Sequence, residues 1–359
     1  MKDAVCIEAD RLSALVARLF VAAGIPEGAA KTVAEGLVDA DLEGQFSHGV
    51  MLVEMYIDRI RNGSVSAREA GEIVSDKGAT VVLDARNALG HLTGDQAIRI
   101  AIERAQRFGL GLVAVRHGFH FGTARRFALH AAGAECIGIV MCNTRPLMPA
   151  PGGAERAVGN NPIAIAVPSD GAVPIVLDMA TSEAAMGKIR MAQKAGQKIP
   201  ANWAVRSDGS TTIEPGEAIA GMLLPVGGPK GFGLAFLIDL LCGILSGGAI
   251  GSAVQPLYGD AAVPYDCSHL FIAIDIAHFG DPAKLRAAST AAAERIRAGT
   301  RMPGVARLFT PGEPEWARRR EAGGKVTLPR AVADSLLRLA EELRVPSDAL
   351  APAEKYERT

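Results

Sequence analysis

Leu112-Val113-Ala114-Val115-Arg116-His117-Gly118-Phe119-His120-Phe121-Gly122-Thr123, followed by Ala124 to Ala132, reads as a strand, a turn rich in glycine and histidine, and a helix. Four apolar residues in a row suit a strand covered on both faces. The same pattern continues on either side. Thr80 to Asp84 reads as a strand and Asp95 to Phe108 as a helix stopped by Gly109. Ile137 to Cys142, Ile163 to Val167, Ile175 to Leu177 and His269 to Ile276 read as further strands, and Pro282 to Arg297 as a helix. Strands and helices alternating at this length predict an α/β domain with a layered sheet.

The ends differ in character. Leu12, Leu15, Val16, Leu19 and Phe20 recur at helical spacing over Asp10 to Ala23, with Gly24 and Pro26 as stops. A second helix is expected over Glu27 to Gly44, a third over Gly49 to Arg61, and a terminal one over Leu328 to Leu343. Thr310-Pro311-Gly312-Glu313-Pro314 reads as a turn-rich linker. The expected division is a helical region, 1–75, packing with 310–359, and an α/β domain, 76–309.

With 359 residues the chain can bury a core without staples. A net charge of −1 gives no field that would steer it to nucleic acid. The five cysteines form no C-x-x-C pair, which speaks against a disulfide framework or a zinc knuckle and for a reducing compartment. The start, Met1-Lys2-Asp3-Ala4-Val5, lacks the pattern of a signal peptide. Gly231 to Ile250 is apolar and about the length of a membrane span. Asp239 at its centre would cost roughly 2.5–3.5 kcal/mol on insertion scales. Gly231 to Leu245 is therefore expected to be the most buried helix of the α/β domain.

Four places carry candidate chemistry. Ser47-His48-Gly49 lies between two helices, where Ser47 can cap and His48 can exchange a proton near neutral pH. The His117 to Gly122 turn follows a strand and opens a helix, where ligands gather in α/β sheets and helix starts favour anions. Asp178, ending a strand before Thr181-Ser182, can cap a helix or orient a histidine. Lys230 among glycines at a helix start suits a phosphate. Neither G-x-G-x-x-G nor a P-loop occurs, and no histidine pair with a carboxylate suggests a metal.

Together these pieces resemble one family. They are Ser47-His48-Gly49-Val50 with Tyr56 downstream, His120 to Gly122, Gly152-Gly153-Ala154-Glu155 and Asn160-Asn161-Pro162-Ile163. Asp178-Met179-Ala180-Thr181, Ile199-Pro200 with Trp203-Ala204-Val205, and Gly228-Pro229-Lys230-Gly231 complete the set. The order and spacing are similar to those of the malate/L-lactate dehydrogenase family. That family includes ureidoglycolate dehydrogenase, diketogulonate reductase, sulfolactate dehydrogenase and piperideine-2-carboxylate reductase. Ureidoglycolate dehydrogenase looks the most alike in its motifs.

The resemblance implies a sulfolactate-dehydrogenase-like, non-Rossmann α/β fold: a mixed sheet covered by helices, with helical N- and C-terminal regions. It implies a cytoplasmic homodimer that uses NAD or NADP to interconvert small 2-hydroxy and 2-oxo acids. A cyclic imine acid is the alternative substrate, and a non-catalytic dinucleotide sensor a remote third reading. It places catalysis on Ser47, His48, His120 and Asp178, and cofactor contacts on Gly122, Thr144, Asp178, Met179, Ala180 and Lys230. Many members carry an arginine three residues after the S-H-G glycine; this chain has Leu52. Arg145 is then the candidate for the substrate carboxylate, with Leu52 and Tyr56 also lining the pocket. A leucine at that position would favour monocarboxylates with apolar or ring-shaped tails.

Overall fold

The computed structural model describes residues 4–347; the first three residues of the sequence start and the tail beyond 347 lie outside the described residues. Its centre is a seven-stranded sheet. In spatial order the strands are Glu72–Asp76, Thr80–Asp84, Leu110–Gly118, Cys267–Asp275, Cys136–Cys142, Ile163–Val167 and Ile175–Met179. Thr80–Asp84 and Leu110–Gly118 run parallel, joined by the helix Gly90–Phe108; every other pairing is antiparallel. The expected mixed α/β sheet is thus present.

Both faces are covered, and the strands show why they read as unbroken apolar runs. In Cys267–Asp275, Phe271 and Ala273 join Val81, Ile98, Ala101 and Phe127 beneath the helices Gly90–Phe108 and Ala124–Gly133. Leu270 points the other way, to Ile238 and Cys242 of the helix Pro229–Ser246. The fit is tight: a Cβ at Gly111 would lie 1.9 Å from the Ala101 carbonyl oxygen.

A second core holds the ends of the chain. Leu12, Leu15, Leu19 and Phe20 of the helix Ala9–Ala22 meet Val33 and Leu37 of Glu27–Leu42, together with Leu336 and Leu339 of Arg330–Glu342. The strand Ala4–Glu8 pairs antiparallel with Lys325–Pro329, joining the two ends.

Three expectations need correction. The segment from Gly49 does not start a helix: Gly49 is extended (φ −94°, ψ −158°) between 3-10 turns at Phe46–His48 and Val50–Leu52, and the α-helix is Val53–Arg61. The supposed linker opens the helix Glu313–Ala322, with Pro314 in its first turn, where its missing N–H costs nothing. There the buried Glu313 carboxylate accepts from Thr310 N–H and Arg297, and Arg307 also pairs with it. Burial alone would raise that carboxyl; these bonds bring it down to about 2.

The third concerns Pro229–Ser246, which is long and apolar enough to cross a membrane but is not the most buried helix. One side packs on the sheet, and its Asp239 accepts from Asn143 Nδ2 at 2.9 Å and Gly251 N–H at 3.0 Å. Leu234, Leu237, Leu241, Ile244 and Leu245 form an exposed stripe on the other side.

Candidate active site

The two sequence motifs with histidine converge. The His48 and His120 rings stack with centroids 5.3 Å apart and planes 29° from parallel. His48 arrives on the turn after Glu27–Leu42, and His120 on the loop after Leu110–Gly118. That loop is braced by the helix Gly90–Phe108, where a Cβ at Gly90 would lie 2.1 Å from the Phe119 carbonyl oxygen.

Hydrogen bonds set the tautomer of His120 and leave that of His48 open. Tyr56 hydroxyl and His120 Nδ1 are 2.5 Å apart, and Gly122 N–H donates to the same nitrogen at 3.4 Å. A backbone N–H can only donate, so Nδ1 is the acceptor and the His120 proton sits on Nε2. His48 Nδ1 lies 2.9 Å from Ser47 Oγ, a hydroxyl able to donate or accept. Burial lowers the His48 pKa to about 4. Burial first, then the neighbouring His48, His91 and His269, keeps His120 well below its ordinary value. Both rings are neutral near pH 7.

The remaining candidates differ in burial and in partners. Tyr56 is fully buried, so it holds His120 rather than touching a ligand. Leu52 is also enclosed, 1% exposed within the helical core, and presents no pocket surface; the pocket role expected of it is not met. Arg145 is half-buried and makes no hydrogen bond or ion pair among the described residues. Burial, followed by the like charges of Arg156 and Arg190, lowers its pKa. Thr144 is pinned by Asn161 Oδ1 to its N–H at 2.8 Å and by Asn160 Oδ1 to its hydroxyl at 3.1 Å.

Asp178 does not orient a histidine. Its Oδ2 accepts the Arg125 N–H at 3.0 Å, across from the start of Ala124–Gly133. It is open to a cleft of about 360 Å³ lined by Gln45, Arg125, Val176, Phe309, Pro311 and Glu315. Protein crowds it closely enough that burial raises its carboxyl to about 6, against the pull of Arg125. Met179 and Ala180 follow at the strand end, half-buried, and Lys230 is exposed at the start of Pro229–Ser246.

Sequence reasoning passed over three residues here. Arg125 is 2% exposed, and its Nε and Nη2 have no hydrogen-bond partner although Glu43 lies 3.5 Å and Glu315 4.0 Å from Nη1. His91 is fully buried with both ring nitrogens unpartnered, against Gly122, whose positive φ of 77° and lack of a Cβ let the loop turn over the ring. Asp41 lies buried beneath the Ser47-His48-Gly49 turn, where burial raises its carboxyl to about 7 against the Val50 N–H bond. None of the three sits in a glycine-rich motif, so nothing in the sequence singled it out.

The structure thus brings together two neutral histidine rings able to take up a proton, leaves Arg145 without an ion-pair partner among the described residues, and sets a separate cleft along Asp178. The family model described as malate/L-lactate dehydrogenase matches residues 7–337. The malate dehydrogenase of Pyrococcus abyssi is 37% identical over 315 residues, 86% of each chain. The ureidoglycolate dehydrogenase (NAD(+)) of Escherichia coli O157:H7 is 34% identical over 88% of this chain and 90% of its own. The solved sulfolactate dehydrogenase of Methanocaldococcus jannaschii superposes with a TM-score of 0.89 at 33% identity, covering 95% of this chain and 98% of its own. The chain belongs to the malate/L-lactate dehydrogenase family and is an oxidoreductase.

Proposed function

We propose that the protein transfers a hydride between the nicotinamide of NAD or NADP and C2 of a small 2-hydroxy or 2-oxo acid. The observation that carries this reading is the stacked His48–His120 pair, one ring accepting at Nδ1 and so offering Nε2–H, the other bonded, among the described residues, only to the Ser47 hydroxyl; the unpaired Arg145 is the cation we assign to the acid. The cofactor supplies the hydride chemistry. The chain supplies the rest. His120 offers its Nε2 proton as a hydrogen bond to the substrate oxygen and stabilises charge developing there. His48, backed by Ser47, accepts the hydroxyl proton in oxidation and returns it in reduction. Arg145 pairs with the carboxylate and orients C2.

The cleft along Asp178 fits a dinucleotide. It pairs apolar walls, Val176, Phe309 and Pro311, with Arg125, whose Nε and Nη2 have no hydrogen-bond partner. The family resemblance supports assigning Gly122, Thr144, Met179 and Ala180 to the same cofactor, with Lys230 offering a cation to a phosphate. Calorimetry with NADH and NADPH tests it. Lys230→Ala should weaken binding of the preferred cofactor about tenfold, and added salt should weaken the wild type in the same direction. Unchanged affinity would remove Lys230 from the site.

The exposed leucine and isoleucine stripe on Pro229–Ser246 supports a homodimer, since a helix face of this kind is self-complementary about a two-fold axis. A cytoplasmic enzyme acting on a soluble acid goes with this reading. Leu237→Glu with Ile244→Glu should halve the mass measured by sedimentation. A wild-type monomer, or a dimer that survives both changes, would rule this face out.

A further inference from the structure

The glycine of Ser47-His48-Gly49 is not there for its backbone freedom. Its φ of −94° and ψ of −158° are extended values open to any residue. What excludes a side chain is Asp41. A Cβ at Gly49 would lie 2.0 Å from Asp41 Oδ1, 2.3 Å from Cγ and 2.5 Å from Oδ2. Asp41 belongs to the helix Glu27–Leu42, is 6% exposed, and its Oδ2 accepts the Val50 N–H at 2.8 Å. The same helix end takes Gly44 N–H on the Asp41 carbonyl and Gln45 N–H on that of Ala40. The carboxylate therefore fills the space under Gly49 and stitches the far side of the turn to the helix.

The His48 backbone is tied by its N–H to the Gln45 carbonyl at 2.8 Å, within the same turn, but its ring has few anchors of its own. Its side-chain hydrogen bond is to Ser47, one residue away on the same turn, and its ring contact is to His120. We propose that Asp41 is a positioning residue of the active site: by packing under Gly49 and holding Val50 N–H, it fixes where the His48 ring stands against His120. The proposal rests on the proton-transfer role of His48 given above. Asp41 itself touches neither substrate nor cofactor in this account. Its carboxylate and Gly49 form one coupled unit, because a Cβ at position 49 fits only if the carboxylate at position 41 moves or is removed.

The coupling is measurable by a double-mutant cycle on the full chain. Gly49→Ala should lower kcat by about tenfold to a hundredfold, since a misplaced group costs that much, with cofactor affinity unchanged. Asp41→Ala should lower kcat by a similar factor, whereas Asp41→Asn keeps the shape and the acceptor and should restore it. In the Asp41→Ala background, Gly49→Ala should cost little more, because the clash is gone. Losses that multiply, or full turnover in Asp41→Ala, would overturn the proposal. His48→Asn run alongside separates the two claims. Full turnover there would overturn the role of His48. The His48 ring signal in NMR, displaced in Asp41→Ala and restored in Asp41→Asn, would still decide the positioning.

Discussion

His48→Asn should lower kcat by roughly 10²–10⁴-fold, the worth of a positioned general acid or base, without weakening cofactor binding. His120→Asn should cost about 10²–10³-fold, the range for losing one preorganised donor to a developing oxyanion. The two changes should also differ in their pH dependence. Burial holds the free-enzyme pKa of His48 at about 4, so its base form is present above that value and is lost as pH falls through it. In the oxidation direction, kcat/KM should stay level from neutral pH down to about 5 and fall below that. In the reduction direction the protonated ring is the working form, so the rate should rise as pH falls. The negative charge of bound acid favours that form. A profile that is the same in both directions, or that bends near the ordinary histidine value, would remove His48 from proton transfer.

Arg145→Ala should lower kcat/KM for a 2-oxo acid by about a hundredfold or more, since truncating one partner of a buried charge pair costs roughly 2–5 kcal/mol. Turnover and KM should both suffer, because the guanidinium orients as well as binds. Leu52→Arg, by contrast, should not redirect specificity. Position 52 is packed among Val50, Val53 and Tyr56, so a longer charged side chain overfills the core and lowers the melting temperature. This removes the ground for expecting a preference for apolar monocarboxylates. Arg190 stands 6.0 Å over the Tyr258 ring, and its charge is among those that lower the Arg145 pKa. A second anionic group on the substrate has a cation available there. Steady-state kinetics on oxaloacetate and pyruvate, with both variants, check the argument. An Arg145→Ala enzyme that keeps wild-type kcat/KM on both would overturn it.

The parts of the fold legible in the sequence were those set by local pattern. The apolar runs of the central strands announced themselves because a strand covered on both faces is apolar throughout, as the opposed packing of Leu270 and Phe271 shows; the edge strand Ile175–Met179 leaves Leu177 exposed. The pairing of Ala4–Glu8 with Lys325–Pro329 was not legible, since its partners lie at opposite ends of the chain and each strand is only five residues long. Glu313–Ala322 was hidden by Pro311-Gly312-Glu313-Pro314, whose residues mark a turn and a helix start alike. Uniform apolarity made Pro229–Ser246 read as buried; the same composition serves a helix with one face on a sheet and the other bare.

The site divides along the same line. Ser47, His48 and His120 stand in short motifs and were found. Asp178 was singled out with two readings open, because a strand-end aspartate caps a helix start as readily as it orients a histidine; the Arg125 N–H bond favours the first. Tyr56 and Leu52 follow one motif on neighbouring turns, yet both point into the core. Burial of this kind depends on how Val53–Arg61 packs against Ala9–Ala22, which motif spacing does not encode.

The central claim is hydride transfer at C2 of a small acid, and the most direct test is the absorbance of NADH and NADPH at constant enzyme against a panel of substrates. The panel should hold oxaloacetate, pyruvate, a 3-sulfonated 2-oxo acid and a cyclic imine carboxylate. The account expects oxidation of one reduced cofactor with at least one 2-oxo acid, slowed about a hundredfold or more in His48→Asn. Turnover confined to the cyclic imine would contradict the oxo-acid assignment. Cofactor binding with no oxidation across the whole panel would contradict the claim of catalysis itself.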